Sequence, residues 1–362
     1  GEPPPPEQDC ALYPLNDYGN ALRFRRHFGQ DLMFVPRVGW FVWVGTHWQR
    51  DDDLIAVRAK AQMLAELIAR ETWYIAPTET EAQIIFLGDQ AEVDRDRVEA
   101  ISLGERSDED SARLISAKRE VKDRDRVQKR LSDAVSRRLT HARNAGNSNA
   151  IKNFIGESEV LLAKPLESLD ARPLDVNCLS GVLRFRVTDC REDGGGKVAE
   201  VELVPHARDQ LITKIIEVEY DPDARSDRFD AFLTEIQPIA DMRRFLARWF
   251  GLSSTALSGE QKFAFFHGNG ANGKSVLVDL IMRILGDYAA PAKIETLTGT
   301  NRRGGGDATP DLMQLVGARM VSASEPDEGM RLQEGLIKEL TGGTPISAVV
   351  GRAEVVDAVP PG

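Results

Sequence analysis

The stretch HGNGANGKS at residues 267–275 constrains this chain more than any other. It has the spacing Gly268-x4-Gly273-Lys274-Ser275, follows the apolar run FAFF (263–266) and precedes the run VLVDLIMRIL (276–285). That order predicts a strand, a glycine loop and a helix, the arrangement that cradles nucleotide phosphates. Glycines let backbone N–H groups turn inward around a β-phosphate, and a helix starting near Lys274 offers its positive end. Lys274 is placed to reach the β/γ oxygens and the Ser275 hydroxyl to ligate Mg2+. The expected contacts to ATP therefore run along Gly268, Asn269, Gly270, Ala271, Asn272, Gly273, Lys274, Ser275 and Val276.

Hydrolysis needs a second element, an acid at the end of a neighbouring buried strand that holds the metal and polarises water. ARMVSASEPDEG (318–329) supplies an apolar run that ends in Glu325, with Asp327 and Glu328 behind it. The expected catalytic set is Lys274, Glu325 and Glu328, and the expected metal ligands are Ser275 and Glu325.

A chain of 362 residues is too long for one comfortable core, so two domains are expected. Residues 1–16 open with GEPPPPEQD, which has a linker's composition and lacks the build of a signal peptide. No run of about 18 apolar residues occurs, so no membrane partner is expected and the cytoplasm is the expected compartment. Cys10, Cys178 and Cys190 are odd in number and far apart, which argues against disulfides and a structural zinc.

The net charge of −11 argues against a chain that coats nucleic acid over its whole surface. A local exception is 113–143, where eleven Lys and Arg face four Asp and Glu. This stretch reads either as a solvated helix whose opposite charges sit three or four apart or as a phosphate-tracking surface. The pairs Asp51/Asp53, Asp94/Asp96 and Asp123/Asp125 have the spacing of a two-metal site. The last two lie in helical sequence, where i and i+2 point to different sides, so a shared metal is not expected.

Helix is expected over 18–28, and a β-hairpin over 32–52 around Gly45-Thr46. Trp40, Trp43 and Trp48 stand at strand spacing and read as core. Leu54, Val57, Ala61, Leu64 and Ile68 make one apolar helical face. Short antiparallel strands are expected across 174–220, from LDVNCLSGVLRFRV through VAEVELV to LITKIIEVEY, with a turn at DGGGK (193–197). Helices resume after DPDARSD (221–227), and Gly251 reads as a helix stop.

The ordered motifs GNGANGKS, SEPDEG and LIKELTGG (336–343) followed by PIS resemble superfamily 3 helicases of the phage and plasmid primase-helicase type, related to the poxvirus primase-helicase. The stretches DYGNALRFRRHFGQDLMFVPRVGWFVWVGTHWQRDD, LDVNCLSGVL and DQLITKIIEVEYDPDA resemble the domain found ahead of such helicases. The resemblance implies an α/β fold: an AAA+-like, superfamily 3 P-loop NTPase core with its helical lead-in over 226–362, preceded by an α+β N-terminal domain over 17–225. Gly268, Gly273, Lys274 and Ser275 would be its Walker A residues and Glu325 its Walker B acid. Lys338 and the Thr341-Gly342-Gly343 turn would lead into a DNA-contacting hairpin at ISAVVGRAEVV, where Arg352 is the basic residue.

The family pattern continues with a sensor Asn and an arginine finger, whereas this sequence stops at AVPPG, so an incomplete core is expected at the C-terminus. The implied protein is an ATP-dependent DNA helicase subunit of phage or plasmid replication. Its partners would be single-stranded DNA, further copies in a hexameric ring, and a primase that is either separate or upstream in the chain. Two other readings stand beside it: an ATP-binding assembly module without efficient hydrolysis, and a ring ATPase acting on protein. Turnover that rises with single-stranded DNA separates the helicase from both.

Overall fold

The apolar spacing at 54–68 folds as two short helices, α3 (Ile55–Gln62) and α4 (Leu64–Arg70). Val57, Ala61, Leu64 and Ile68 are all buried, while Leu54 caps the first helix in a left-handed conformation and stays partly exposed. The computed structural model describes residues 4–190, 196–257, 259–268, 270–298, 315, 317–324, 330–341, 346–350 and 354–358. Helix and sheet are mixed, and the chain divides into two compact units, residues 1–42 with 50–164 and residues 43–49 with 165–362.

In the first unit, α1 (Pro6–Cys10) and α2 (Asp17–Phe28) lead into β1 (Leu32–Val35) and β2 (Gly39–Trp43). The two strands pair antiparallel in register Leu32↔Val42 to Val35↔Gly39, and β3 (Trp48–Arg50), of which only Arg50 belongs to this unit, follows in the order β1-β2-β3. Phe24, Leu32, Trp40, Val57, Leu64 and Ile68 share one core with Ile151 and Phe154 of α7 (Ser148–Leu161). Burying such a side chain stabilises a fold by about 1.5–3 kcal/mol each.

Between α4 and α7 the charged segment forms a helical hairpin, α5 (Glu79–Glu99) and α6 (Asp108–Ala145), each opened by a capping box, Thr78 with Glu81 and Ser107 with Asp110. Small residues let the helices approach, with Ala91 packed on Ala117 and Val121. A Cβ on Gly88 would come within 2.3 Å of the Arg124 Cβ, so glycine is required there. Arg124 binds Asp89 at 3.1 Å and Glu92 at 2.6 Å, and Arg130 holds Glu81 at 2.7 Å.

A buried charge cluster ties the start of the chain to this unit. Glu71 is fully buried between Arg23, at 2.6 and 3.0 Å, and Arg138. Arg23 also donates to the carbonyls of Cys10, Tyr13 and Pro14, and Arg138 to that of Ala11.

The Asp-x-Asp pairs serve local structure. Asp51 accepts from the backbone N–H groups of Ile55 and Val57, capping α3. The helical aspartates each sit beside an arginine: Asp94 with Arg97, Asp96 with Arg95, Asp123 with Arg126 and Asp125 with Arg124.

The second unit contains the hairpin tip Trp43–Gln49, where the Trp48 indole donates to the Arg208 carbonyl and stacks edge-on against Trp43. β4 (Asp175–Cys178), β5 (Gly181–Cys190) and β6 (Gly196–Val204) make an antiparallel sheet in that order. The expected strand through LITKIIEVEY does not form a ladder; one bridge joins Ile216 to Cys178. Its backbone groups bond in several directions, Ile212 O to Trp48 N, Ile216 N to Asn177 O and Ile215 N to the Asp287 carboxylate. Among the described residues no helix is long and apolar enough to cross a membrane.

Candidate nucleotide site

The helix expected after the glycine loop is α10 (Lys274–Leu285), capped by Gly273. Gly270 and Gly273 adopt left-handed backbone conformations with φ of 85° and 77°. Gly273 has no side chain to cap the first turn, so among the described residues the leading N–H groups of α10 have no side-chain cap. A Cβ on Gly273 would lie 2.4 Å from Ile236 Cγ2, so glycine is required there both by φ and by close approach.

Lys274 folds back over the loop. Its Nζ donates to the Gly268 carbonyl at 3.1 Å and to Asn272 Oδ1 at 2.9 Å. Gly270 N–H donates to the same Gly268 carbonyl at 2.9 Å. Ser275 and Val276 are exposed on the first turn of the helix. Among the described residues an ammonium folded over the loop, a first helical turn without a side-chain cap and an exposed serine follow one another in sequence, a donor set suited to a phosphorylated ligand and its metal. The structure brings together Gly268, Gly270, Ala271, Asn272, Gly273, Lys274, Ser275 and Val276; Asn269 lies outside the described residues.

The underside of the loop comes from α8 (Asp227–Ile236), which precedes α9 (Ala240–Ser253). Phe232 and Ile236 are the side chains nearest to Gly273. Residues 226–253 read from sequence only as a helical lead-in. The spacing Phe229, Phe232, Leu233 and Ile236 is the signal that α8 presents an apolar face. The helix α9 runs past Gly251 to Ser253, so that glycine does not stop it.

The apolar run ahead of Glu325 forms a strand over Met320–Ala323, of which Met320 is buried. β7 (Ala289–Ala292) pairs parallel with β8 (Met320–Ala323), in register Ala289↔Met320 to Ala292↔Ala323, and both strands pack on α10. Tyr288 and Arg319 stand immediately before the two strands. The Arg319 guanidinium sits 4.1 Å over the Tyr288 ring, and the Tyr288 hydroxyl accepts from Asn177 N–H at 3.2 Å. Burial raises the Tyr288 pKa and lowers that of Arg319. Neither residue stands out in the sequence, because 31 positions separate two groups that only a parallel register makes neighbours.

The run FAFF (263–266) is not a strand here. Phe263 and Phe265 are exposed, and among the described residues no strand lies alongside to take their backbone hydrogen bonds. β8 ends two residues before Glu325; Glu325, Asp327 and Glu328 lie outside the described residues.

α11 (Ile294–Leu297) and α12 (Glu334–Thr341) follow in the same unit. Lys338 is an exposed α12 residue 4.0 Å from Glu334. β9 (Ile346–Val350) and β10 (Glu354–Ala358) pair antiparallel where the resemblance implied a hairpin, in register Glu354↔Val350 to Ala358↔Ile346. Arg352, with 351–353, and the turn residues 342–345 lie outside the described residues.

Comparison with known proteins places most of the chain. A family model described as "D5 N terminal like" matches residues 21–238. A protein of Acanthamoeba polyphaga mimivirus named as a "putative helicase" is 37% identical over 138 residues, 37% of this chain and 14% of that protein. Another so named, from Frog virus 3 (isolate Goorha), is 30% identical over 113 residues, 31% of this chain and 12% of that protein. The matched stretches thus span about a seventh or less of these relatives.

Proposed function

The chain belongs to the D5 N terminal like family, and from that premise we propose that it is part of an ATP-dependent DNA helicase subunit of the superfamily 3 type, serving replication of a phage, plasmid or virus. Relatives named as helicases support the helicase reading. The single observation that carries the ATP part is the Gly268–Ser275 loop opening α10, with Gly270 and Gly273 in left-handed conformations and the Lys274 amine held inside it.

ATP and Mg2+ fit the residues present. Lys274 is held by two neutral acceptors that a triphosphate can replace, Gly268 O and Asn272 Oδ1. Ser275 would hold the metal from the first turn of α10, and Glu325, just past β8, would complete its ligation and orient water. The chemistry supplied by Mg2+ when bound would be positive charge against the terminal phosphates. The loop's N–H groups and Lys274 would bind and orient the triphosphate, and the buried Tyr288–Arg319 stack would fix where the two parallel strands begin. Coupled motion on single-stranded DNA, in a ring of copies, would use the β9·β10 hairpin with Arg352, and Lys338 ahead of it.

ATP turnover by the chain, with and without single-stranded DNA, tests this reading. Hydrolysis that rises with DNA and is lost in Glu325→Gln, while ATP still binds, is the expected result. Hydrolysis indifferent to DNA would remove the helicase assignment, and an unchanged rate in Glu325→Gln would mean that the wrong acid has been chosen.

A further inference from the structure

The basic stretch of α6 resolves into two opposed faces. Ala117, Val121, Arg124 and Val127 are buried, and Arg138, Ala142 and Ala145 continue that face toward the C-terminus of the helix. On the other side, Arg119, Lys122, Arg126, Lys129, Asp133 and Arg137 recur at spacings of three and four residues, and all six are exposed. The row is about 27 Å long at the α-helical rise of about 1.5 Å per residue.

Among the described residues, ion pairing takes up the other cations of α6 except Arg143, which lies off the row in the last turn, and it leaves most of the row unpaired. Arg113, Lys118, Arg124, Arg130 and Arg138 each meet a carboxylate. Within the row Arg126 meets Asp123 at 3.1 Å. Arg119, Lys122, Lys129 and Arg137 have no carboxylate within ion-pair distance among the described residues. Asp133 stands four residues from both Lys129 and Arg137, at pairing distance from neither. Four uncompensated charges in one line, on a chain of net charge −11, are the feature that needs an occupant.

We propose that this face of α6 tracks the phosphate backbone of duplex DNA, independently of sequence. A polyanion is repelled by the rest of an acidic chain and attracted along this one line, which fixes the face that binds. The row carries no aromatic side chain, so it lacks the base-stacking surfaces that single-strand grooves combine with their positive charge. Long flexible cations in a line suit phosphate contacts, which position a duplex without reading it. About 27 Å of row matches about eight base pairs at about 3.4 Å each. The inference goes beyond the ATP reading, since α6 carries none of the loop residues.

The test is fluorescence anisotropy with a labelled duplex of about 20 base pairs and mixed sequence, titrated without nucleotide between about 50 and 200 mM salt. Three proteins are compared: the intact chain, the variant R119Q/K122Q/K129Q/R137Q, and a charge-matched control R50Q/R70Q/R97Q/R113Q whose changes lie off the row. The row variant should flatten the slope of log affinity against log salt by about 3.6, at about 0.9 for each phosphate that is no longer neutralised. The control should keep a slope close to that of the intact chain. Far-UV circular dichroism checks folding, and the half-variants R119Q/K122Q and K129Q/R137Q should each give about half the change. No duplex binding at the lowest salt, an unchanged slope in the row variant, or an equal loss in the control would overturn the proposal. So would a single strand of the same length whose affinity falls as much as that of the duplex. ATP affinity of the row variant, measured alongside, should match the intact chain, so failure of one reading is distinguishable from failure of the other.

Discussion

Replacing Glu71 by Gln should be among the most damaging single changes in the first unit. The side chains of Arg23 and Glu71 are both 0% exposed and that of Arg138 is 10% exposed, so removing the carboxylate charge leaves two guanidiniums facing each other away from water. Breaking a buried pair from one side costs about 3–5 kcal/mol, because the surviving charge loses its compensation. A matched reference exists in Glu66, which meets Arg70 at 2.6 Å, the same distance as Arg23 to Glu71, but with both side chains in water. Glu66→Gln should cost less than about 0.5 kcal/mol. Hydrogen exchange of the α2 amides around Phe24 reads both variants. Glu71→Gln should speed exchange by about two to three and a half orders of magnitude, at about 1.4 kcal/mol per tenfold, and Glu66→Gln by less than about threefold. Equal and small effects would refute the reasoning, since distance alone would then govern and burial would not.

Two further changes test other parts of the structure. Gly273→Ala should lower stability by about 1–3 kcal/mol and weaken ATP binding, because φ of 77° disfavours a side chain and the new Cβ would press on Ile236. A thermal melt with a parallel ATP titration reads both, and an unchanged variant would mean that α8 does not support the loop. Stability should also fall as pH drops from 7 toward 5. Burial, reinforced by the charges of Arg23 and Arg138, holds His141 below the ordinary imidazole pKa, and burial does the same for His27 and His47. The unfolded chain therefore takes up protons first below about pH 6.5, so the stabilisation present at neutral pH is lost on acidification. Melting temperature against pH should be shallower in His141→Gln; an identical or steeper profile would contradict this.

Local signals were legible and long-range ones were not. The spacing of Val57, Ala61, Leu64 and Ile68 foretold a buried helical face, and Trp40 and Trp48 fill the core as strand-spaced aromatics should. Trp43 is only half-buried, with the Arg208 guanidinium over its ring. The loop glycines and the start of α10 were readable because the motif fixes backbone conformation within eight residues. No local pattern marks Glu71, because its partners lie 48 and 67 positions away, beyond any periodic signal. LITKIIEVEY has the composition of a strand and buries Ile212, Ile215 and Ile216, yet its hydrogen bonds disperse to several neighbours. FAFF was expected as a strand from its apolar run, but pairing depends on a neighbouring edge that local sequence does not encode.

Titration calorimetry of ATP with Mg2+ into the intact chain and Lys274→Ala tests the nucleotide assignment most directly. The intact chain should bind, and the variant should bind at least tenfold more weakly, the loss of about 1.5–3 kcal/mol that goes with a hydrogen bond to a charged group. Equal affinities in the two proteins would contradict the claim that this lysine and its loop hold a triphosphate.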